Sequence, residues 1–409
     1  MQHAKETKRI AIIGGGAAGF FAAFSAKKHH PDSDVIIYEK SGKVLSKVKV
    51  SGGGRCNVTN ACKNISTFLK HYPRGNKALK KVFSQFHVSE TVAWFQKRGV
   101  DLKAEQDLRM FPITDSSQTI IDCFLKEVND LNIEVKKHTS IDSIIKNPKN
   151  EFELFINDIT VCYDNVIIAT GGSPKMEGFN WLAELAHRII PPVPSLFTFN
   201  MPKNSICKLM GVSVSDVSIR IKGSKEEQSG PLLITHWGIS GPAVLKLSAW
   251  AARELSEVDY QFSISINWVS KKENELRNEI SNGDFLLGNR QIKSKNPFNI
   301  PQRLWEFFLQ DLAISPTLVW SQLGKKNLNR LINKLVNDEY EVNGKTTFKE
   351  EFVTCGGVDL ANVDMNTMQS KKIDGMYFAG EVLDIDGVTG GFNFQAAWST
   401  AYVAGKLEN

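Results

Sequence analysis

Cysteine is scarce in this chain: six residues in 409 (Cys56, Cys62, Cys123, Cys162, Cys207 and Cys355), none in a Cys-x-x-Cys pair. That excludes a disulfide-stapled scaffold and a cysteine-ligated structural zinc site, and it points to a reducing compartment with no metal expected. Long apolar runs are missing too, since only residues 10–26 stay uncharged over roughly the 18 residues of a membrane span. Behind Lys5, Lys8 and Arg9 this stretch imitates a secretory signal peptide. Gly14, Gly15, Gly16 and Gly19 inside it would weaken an apolar helix, so it is read as part of a folded domain and the protein as soluble and cytoplasmic, without a membrane partner. Neither charge sign dominates: 50 Lys and Arg against 44 Asp and Glu leave +6, which is no nucleic-acid footprint by itself and suits an anionic ligand. With 42% hydrophobic and 23% charged residues, disorder, collagen and coiled coil are excluded as overall readings.

What is present reads as two or three domains at about 150 residues each. Residues 9–13, 17–28 and 34–38 form a strand, a helix and a strand. After a helix over 116–129 come short strand-like runs at 133–135, 141–145, 152–156 and 161–163, then a mostly apolar strand at 165–169 of the kind buried in a parallel sheet. Pro191, Pro192 and Pro194 mark a boundary. Residues 196–268 alternate like strands. Residues 271–299, polar apart from 285–287, read as a loop-bearing connection, and 301–337 as helical. From 344 the glycine-rich, strand-forming character returns and ends in a helix over 392–406. The architecture this predicts is an α/β fold: a discontinuous dinucleotide-binding (Rossmann-like) domain, residues 1–190 and 344–409, with a β-rich and then helical domain, 191–343, inserted.

The strongest local signal is Gly14-x-Gly16-x-x-Gly19 between the first strand and the first helix. The first glycine permits a tight turn, the second lets a pyrophosphate approach the backbone, and the third lets helix and strand pack closely. Ala17 and Ala18 then open the helix, whose N–H groups face the phosphates. Glu39, twenty residues past Gly19 and followed by Lys40, is placed to accept hydrogen bonds from a ribose. Two later strands, 166–170 ending at Thr170 and Gly171 and 375–379 ending at Gly380 and Glu381, deliver more glycines to the carboxyl edge of the same sheet. This constellation resembles the FAD-containing two-dinucleotide-binding flavoproteins.

A tighter resemblance rests on Ser51-Gly-Gly-Gly-Arg-Cys-Asn-Val-Thr-Asn60, supported by Arg109-Met-Phe-Pro112, Thr235-His-Trp-Gly-Ile-Ser-Gly-Pro242, Thr354-Cys-Gly-Gly-Val358 and the run from Gly380 to Asn393. Together these are similar to the BaiN-like flavoproteins, NAD(P)/FAD-dependent oxidoreductases or aminoacetone-oxidase-type FAD-binding enzymes. Lys49 and Leu108 depart from the family pattern, standing where an apolar residue and a glycine are expected. The resemblance implies non-covalent FAD held by Gly14, Gly16, Gly19, Glu39, the loop Ser51, Gly52, Gly53, Gly54, Arg55, Cys56 and Asn57, and by Thr170, Gly171, Gly380, Glu381, Asp386, Gly390, Gly391, Phe392 and Asn393. It also places Ile141 near the adenine, an ordinary core isoleucine being the other reading.

Physically, the Ser51 loop offers unobstructed backbone N–H groups and the Arg55 guanidinium to an anion or flavin edge. Cys56 reads as a small structural residue. Gly390 and Gly391 open a helix whose N-terminus can stabilise negative charge at the flavin N1 and C2=O edge, while Glu381 and Asp386 suit ribityl or ribose hydroxyls. His236 is the natural proton donor or orienting group if its turn faces the flavin, and Arg55 at most polarises the substrate. The expected activity is FAD-dependent oxidoreduction, with hydride passing through flavin N5 to or from a small organic substrate in a cleft between the domains. No second fingerprint exists, so NAD(P)H is expected only as a transient reductant. A flavin-dependent RNA-modifying enzyme and a non-catalytic FAD-binding protein are the alternatives.

Overall fold

The structure, a computed structural model, describes residues 7–282, 289–294, 296–346 and 353–408. Lys5 of the basic N-terminal stretch and the apolar residues 285–287 lie outside the described residues. The chain divides into two compact units, Met1–Pro194 with Lys349–Asn409, and Ser195–Phe348.

The first unit is built on a five-stranded parallel sheet in the order Met376–Phe378, Asn165–Ile168, Arg9–Ile13, Asp34–Tyr38, Glu134–Lys136. Its inner strands, Ile-, Val- and aromatic-rich, are almost wholly buried because helices and loops cover both faces. Strand order reverses at Arg9–Ile13, which runs first to Asp34–Tyr38 on one side and much later to Asn165–Ile168 on the other. Ligands of doubly wound sheets bind at such a switch point, beyond the carboxyl ends of the strands.

Helix Ala17–His29 has apolar residues all round and is buried from Ala18 to Ala26, so it is a core helix rather than a surface one. Helix Phe392–Ala404, ending two residues before its expected limit, lies against it. Small residues permit the approach: a Cβ on Gly405 would stand 2.5 Å from the Ser25 Cβ, and the Ser25 hydroxyl donates to the Tyr402 carbonyl at 2.6 Å. Around this pair Phe21 meets Trp94 (4.9 Å between rings), Phe86 (5.3 Å) and Trp398 (5.5 Å), locking the first and last helices of the unit together.

The second unit carries a seven-stranded sheet in the order Asp338–Asn343, Gln261–Asn267, Ser213–Ile221, Glu227–Ile234, Gly238–Ser240, Thr198–Asn200, Lys345–Thr346, with antiparallel neighbours. Val214, Val217, Ile219, Ile264 and Ile266 are buried among Leu304, Trp305 and Phe308 of helix Gln302–Asp311 and Leu331, Ile332 and Leu335 of helix Gly324–Val336. The connection expected to be loop contains a helix, Glu273–Asn282.

Candidate functional site

The three fingerprint glycines have different reasons to be glycine. Gly14 sits at φ +117°, and a Cβ there would stand 2.3 Å from the Ala169 carbonyl oxygen. A Cβ on Gly19 would stand 1.9 Å from the Gly14 carbonyl oxygen. Both are demanded by the packing of the turn itself. Gly16 is not: its φ of −93° and ψ of −171° suit any residue, and a Cβ there meets no protein atom within 4 Å. Gly16 is the N-cap of helix Ala17–His29, whose first turn contains no acidic residue. The orphan N–H groups and positive dipole end of that turn suit an anion beside Gly16.

Glu39, at the carboxyl end of the next strand, accepts from the Gly15 and Ser41 backbone N–H groups, each at 2.8 Å, so its carboxylate borders the same turn. Lys40 is exposed. The Thr139 N–H donates to the Glu39 carbonyl at 2.9 Å, and Ile141, two residues further on, is half-buried and precedes the strand Ser143–Lys146. It is therefore not a core isoleucine, and it lies close in sequence to the strand that borders Glu39.

In the Ser51 loop, helix Ser46–Gly54 is broken at Ser51 (ψ 147°), Gly52 (φ +58°) and Gly53 (φ +68°). A Cβ on Gly53 or Gly54 meets nothing within 4 Å. The Arg55 guanidinium, expected to face an anion, instead pairs with Glu105 at 2.7 Å and Asp115 at 3.6 Å and stacks over Phe111, 4.0 Å from the ring centre. Two carboxylates thus neutralise it. Cys56 is fully buried, and burial pushes its thiol up to about 12, so it stays protonated and structural. Asn57, with its amide oxygen turned toward the C-terminal helix, accepts from the Gly391 N–H at 2.9 Å and donates to the Thr59 carbonyl at 3.0 Å.

The C-terminal segments close on the same edge. Gly380, at φ +78°, donates from its N–H to the Thr400 hydroxyl at 2.9 Å, and a Cβ there would stand 2.7 Å from that of Ala18. Ala18 is thus the small residue that lets this strand end meet the first helix, one position after Ala17, which opens that helix. Thr170 is exposed and Gly171 adopts φ +76°. Glu381 joins Lys47 (2.6 Å) to the Thr354 N–H (2.9 Å), while the buried Thr354 hydroxyl oxygen has no hydrogen-bond partner among the described residues. Asp386 departs from expectation. It is fully buried and both its oxygens are taken by Arg74, so it anchors a loop rather than offering itself to ribose or ribityl hydroxyls. Gly391, at φ +90°, runs so close to Thr59 that a Cβ would stand 2.3 Å from its carbonyl oxygen. The Phe392 ring points away into the protein, stacked on His71 at 4.3 Å and edge-on to Phe68 at 4.8 Å, leaving only its backbone for a ligand. Asn393 exchanges two 2.8 Å hydrogen bonds with the Gly387 backbone and shapes the preceding turn.

Sequence reasoning missed Lys47, Arg74 and Thr354. Two of them leave a trace there: Thr354 opens the Thr354-Cys-Gly-Gly-Val358 motif, and an acid such as Asp386 in an apolar stretch requires a cation such as Arg74 somewhere. His236 lies in the second unit, exposed in the turn between Glu227–Ile234 and Gly238–Ser240, with its ring 4.3 Å from that of Trp237.

A dinucleotide fits this edge on three counts: the open approach at Gly16, the N–H-rich bend at Gly53 and Gly54, and the orphaned Thr354 hydroxyl beside Glu381. Comparison with known proteins agrees. The family model described as the HI0933-like protein Rossmann domain matches residues 8–407. The chain belongs to this FAD-binding family. Its relatives include the ribosomal RNA dihydrouridine synthase of Escherichia coli K12, 31% identical over 97% of this chain and 96% of the relative, and the 3-dehydro-bile acid delta(4,6)-reductase of Clostridium scindens, 27% identical over 97% and 98%. Among solved structures, the 3-ketosteroid-delta4-(5alpha)-dehydrogenase of Rhodococcus jostii RHA1 shares the fold at 13% identity, with a TM-score of 0.51 over 100% of this chain and 99% of that one. The resemblance to BaiN-like flavoproteins thus holds, and the chain is a flavoprotein oxidoreductase of Rossmann-like architecture. Among the described residues no helix is long and apolar enough to cross a membrane.

Proposed function

We propose that the protein is an FAD-dependent reductase of carbon–carbon double bonds conjugated to a carbonyl, with NAD(P)H as transient reductant. The observation that carries the cofactor half of this reading is Gly16, a glycine that the protein's own packing does not require. The two relatives named above are a dihydrouridine synthase and a delta(4,6)-reductase, and the uracil ring and a 3-oxo steroid with ring double bonds each present an alkene in conjugation with C=O. Bound FAD supplies the hydride at its N5.

The chain's own residues divide the remaining work. Gly16 and the start of helix Ala17–His29 would hold the pyrophosphate, and Glu39 would orient the adenosine ribose. Gly53 and Gly54 offer N–H groups to the flavin edge. The N-terminus of helix Phe392–Ala404, fixed by Asn57 at Gly391, would direct its N–H groups and positive dipole end at the flavin edge. His236 is the proposed donor of the proton that accompanies hydride into the alkene, and Arg55, already paired, has a positioning role through Glu105 and Asp115.

Two substrate classes follow from the relatives, a small enone and a uridine within RNA. The second is favoured by the E. coli relative and by a further ribosomal RNA dihydrouridine synthase, from Haemophilus influenzae, 28% identical over 96% of both chains. The deciding experiment is anaerobic: the purified yellow protein is reduced with NAD(P)H, and reoxidation is followed on adding an enone steroid, uridine-containing RNA, an amine-derived imine or a quinone. Reoxidation by enone or RNA with a saturated product is expected. Reoxidation by quinone alone, or a protein that releases FMN on denaturation, would sink the reading.

A further inference from the structure

A net charge of +6 conceals a strong local bias. Between Glu39 and Glu90 lie 50 residues with nine lysines, two arginines and no acidic residue, so the rest of the chain is net acidic. Three of these eleven cations are paired from outside: Lys47 by Glu381, Arg55 by Glu105 and Asp115, Arg74 by Asp386. Of the eight cations left over, five gather on one helical pair.

Helix Asn76–Phe83 buries Leu79, Val82 and Phe83 and exposes Lys77, Lys80 and Lys81. Each triple repeats at i, i+3, i+4, which places them on opposite stripes. Lys63 and Lys70, also exposed, flank the neighbouring helix Ile65–Leu69, which packs beside it. None of these five lysines forms an ion pair with a described residue. Side chains at this helical spacing start about 5–6 Å apart and point outward, so they reach separate anionic groups rather than converging on one.

The pair is also tied to the candidate site. The strap joining the two helices, residues 71–75, holds the segment that leads into helix Phe392–Ala404: the Val388 N–H donates to the His71 carbonyl at 2.9 Å, the Tyr72 hydroxyl to the Phe392 carbonyl at 2.6 Å, and Gly75 packs against Ile385. The unpaired lysines therefore lie one short strap from the segment that carries Gly390 and Gly391.

We infer that the face formed by Lys63, Lys70, Lys77, Lys80 and Lys81 is a docking surface for the phosphate backbone of RNA, positioning it while a base is presented to the flavin. This rests on the uridine reading of the proposed function. A row of separate ammonium groups suits a chain of phosphates, and flexible lysines position a backbone without reading its sequence.

The test measures binding, not turnover. The FAD-loaded protein is titrated into a fluorescein-labelled, uridine-rich RNA of about 20 nucleotides, longer than a typical single-strand site, at several salt concentrations. The variant Lys77→Gln/Lys80→Gln/Lys81→Gln is expected to bind about ten-fold or more weakly at 0.1 M salt, with the slope of log K against log salt reduced by about 2, as for three lost single-strand phosphate contacts. Its flavin content, and flavin bleaching by dithionite, stay as in the wild type. A control with the same charge loss in the second unit, Lys325→Gln/Lys326→Gln/Arg330→Gln, is expected to bind like the wild type. An unchanged slope in the first variant overturns the inference, as does an equal loss in the control. So does a face whose loss abolishes binding to anionic phosphatidylglycerol vesicles but leaves RNA binding intact. A wild-type protein that ignores RNA yet is reoxidised by an enone overturns the docking surface and leaves the proposed reductase standing.

Discussion

The different reasons for glycine at positions 14, 16 and 19 give a sharp prediction. Gly16→Val adds three carbons where a Cβ meets no protein atom within 4 Å, at a φ that valine tolerates. Its intrinsic cost is that of a poorer N-cap, about 1 kcal/mol. Gly19→Ala adds one carbon 1.9 Å from a backbone oxygen, so helix and strand must separate, at about 1–3 kcal/mol or more. FAD at a hundred times its Kd stabilises the folded wild type by about 2.7 kcal/mol. At about 2–4 °C per kcal/mol for a unit of this size, that is a rise in Tm of roughly 5–10 °C on adding FAD. In differential scanning fluorimetry, Gly16→Val should melt within a few degrees of the wild-type apoprotein and show no rise with FAD. Its flavin absorbance after gel filtration should be absent. Gly19→Ala should melt lower in the apo form, whatever its flavin content. A Gly16→Val protein that keeps normal flavin and the FAD-dependent rise would refute the assignment of the turn, and one as unstable as Gly19→Ala would refute the claim that the protein's packing leaves this glycine free to vary.

His236→Ala should retain FAD and its reduction by NAD(P)H while losing about 100-fold or more in turnover, the usual scale for a general acid; a wild-type rate would assign the proton to another group. His87, buried between Phe68 and Phe83, is held down to about 4 from 6.5 by burial, so the unfolded chain takes up its proton first as pH falls. Its contribution to stability is complete above pH 6.5 and is lost between 6.5 and about 4, and His87→Asn, which keeps a capping side chain, should flatten the loss of urea stability across that window. Lys334→Met removes the cation paired with buried Asp338 at 2.8 Å and should cost about 3 kcal/mol in urea unfolding, a neutral result showing that Trp268 and Tyr340 suffice to hold the carboxylate. Leu108→Gly, at a position with φ +66° and an exposed side chain, should leave stability unchanged or raise it by up to about 1 kcal/mol, and a clear loss would mean that the leucine side chain makes a contact worth more than its backbone strain.

The first strand, turn, helix and second strand were legible because glycine spacing and apolar periodicity are local signals, and the elements fall within a residue or so of where they are read. Long-range pairings were not. Asp386 finds Arg74 across 312 residues, and Arg55 finds Glu105 across 50, and no local pattern distinguishes a carboxylate bound for a ribose from one bound for a guanidinium. Helix Glu273–Asn282 hid for a different reason: its only buried apolar residues with described side chains are Leu276 and Ile280, a single i, i+4 pair in a polar stretch, too little for a periodic signal. Leu108 shows the reverse case. Its departure from the glycine of the related sequences was visible, and the structure supplies the meaning, a leucine accepting a left-handed backbone.

The clasp between helices Ala17–His29 and Phe392–Ala404 has a consequence for biosynthesis. The first helix, apolar on every side, leaves the ribosome more than 300 residues before the strand and helix that complete its surroundings. At about 5–20 residues per second that interval is on the order of 20–70 s. Throughout it Phe20, Phe21 and their neighbours have no native cover on the flank that Trp398 later occupies, while the whole inserted unit, Ser195–Phe348, is synthesised with its own sheet and helices at hand. The nascent chain thus emerges with its middle able to fold before its beginning. On the proposed FAD site, cofactor capture waits until helix Phe392–Ala404 has emerged, which makes that late segment, rather than the glycine turn, the step that decides when a new molecule can hold its flavin.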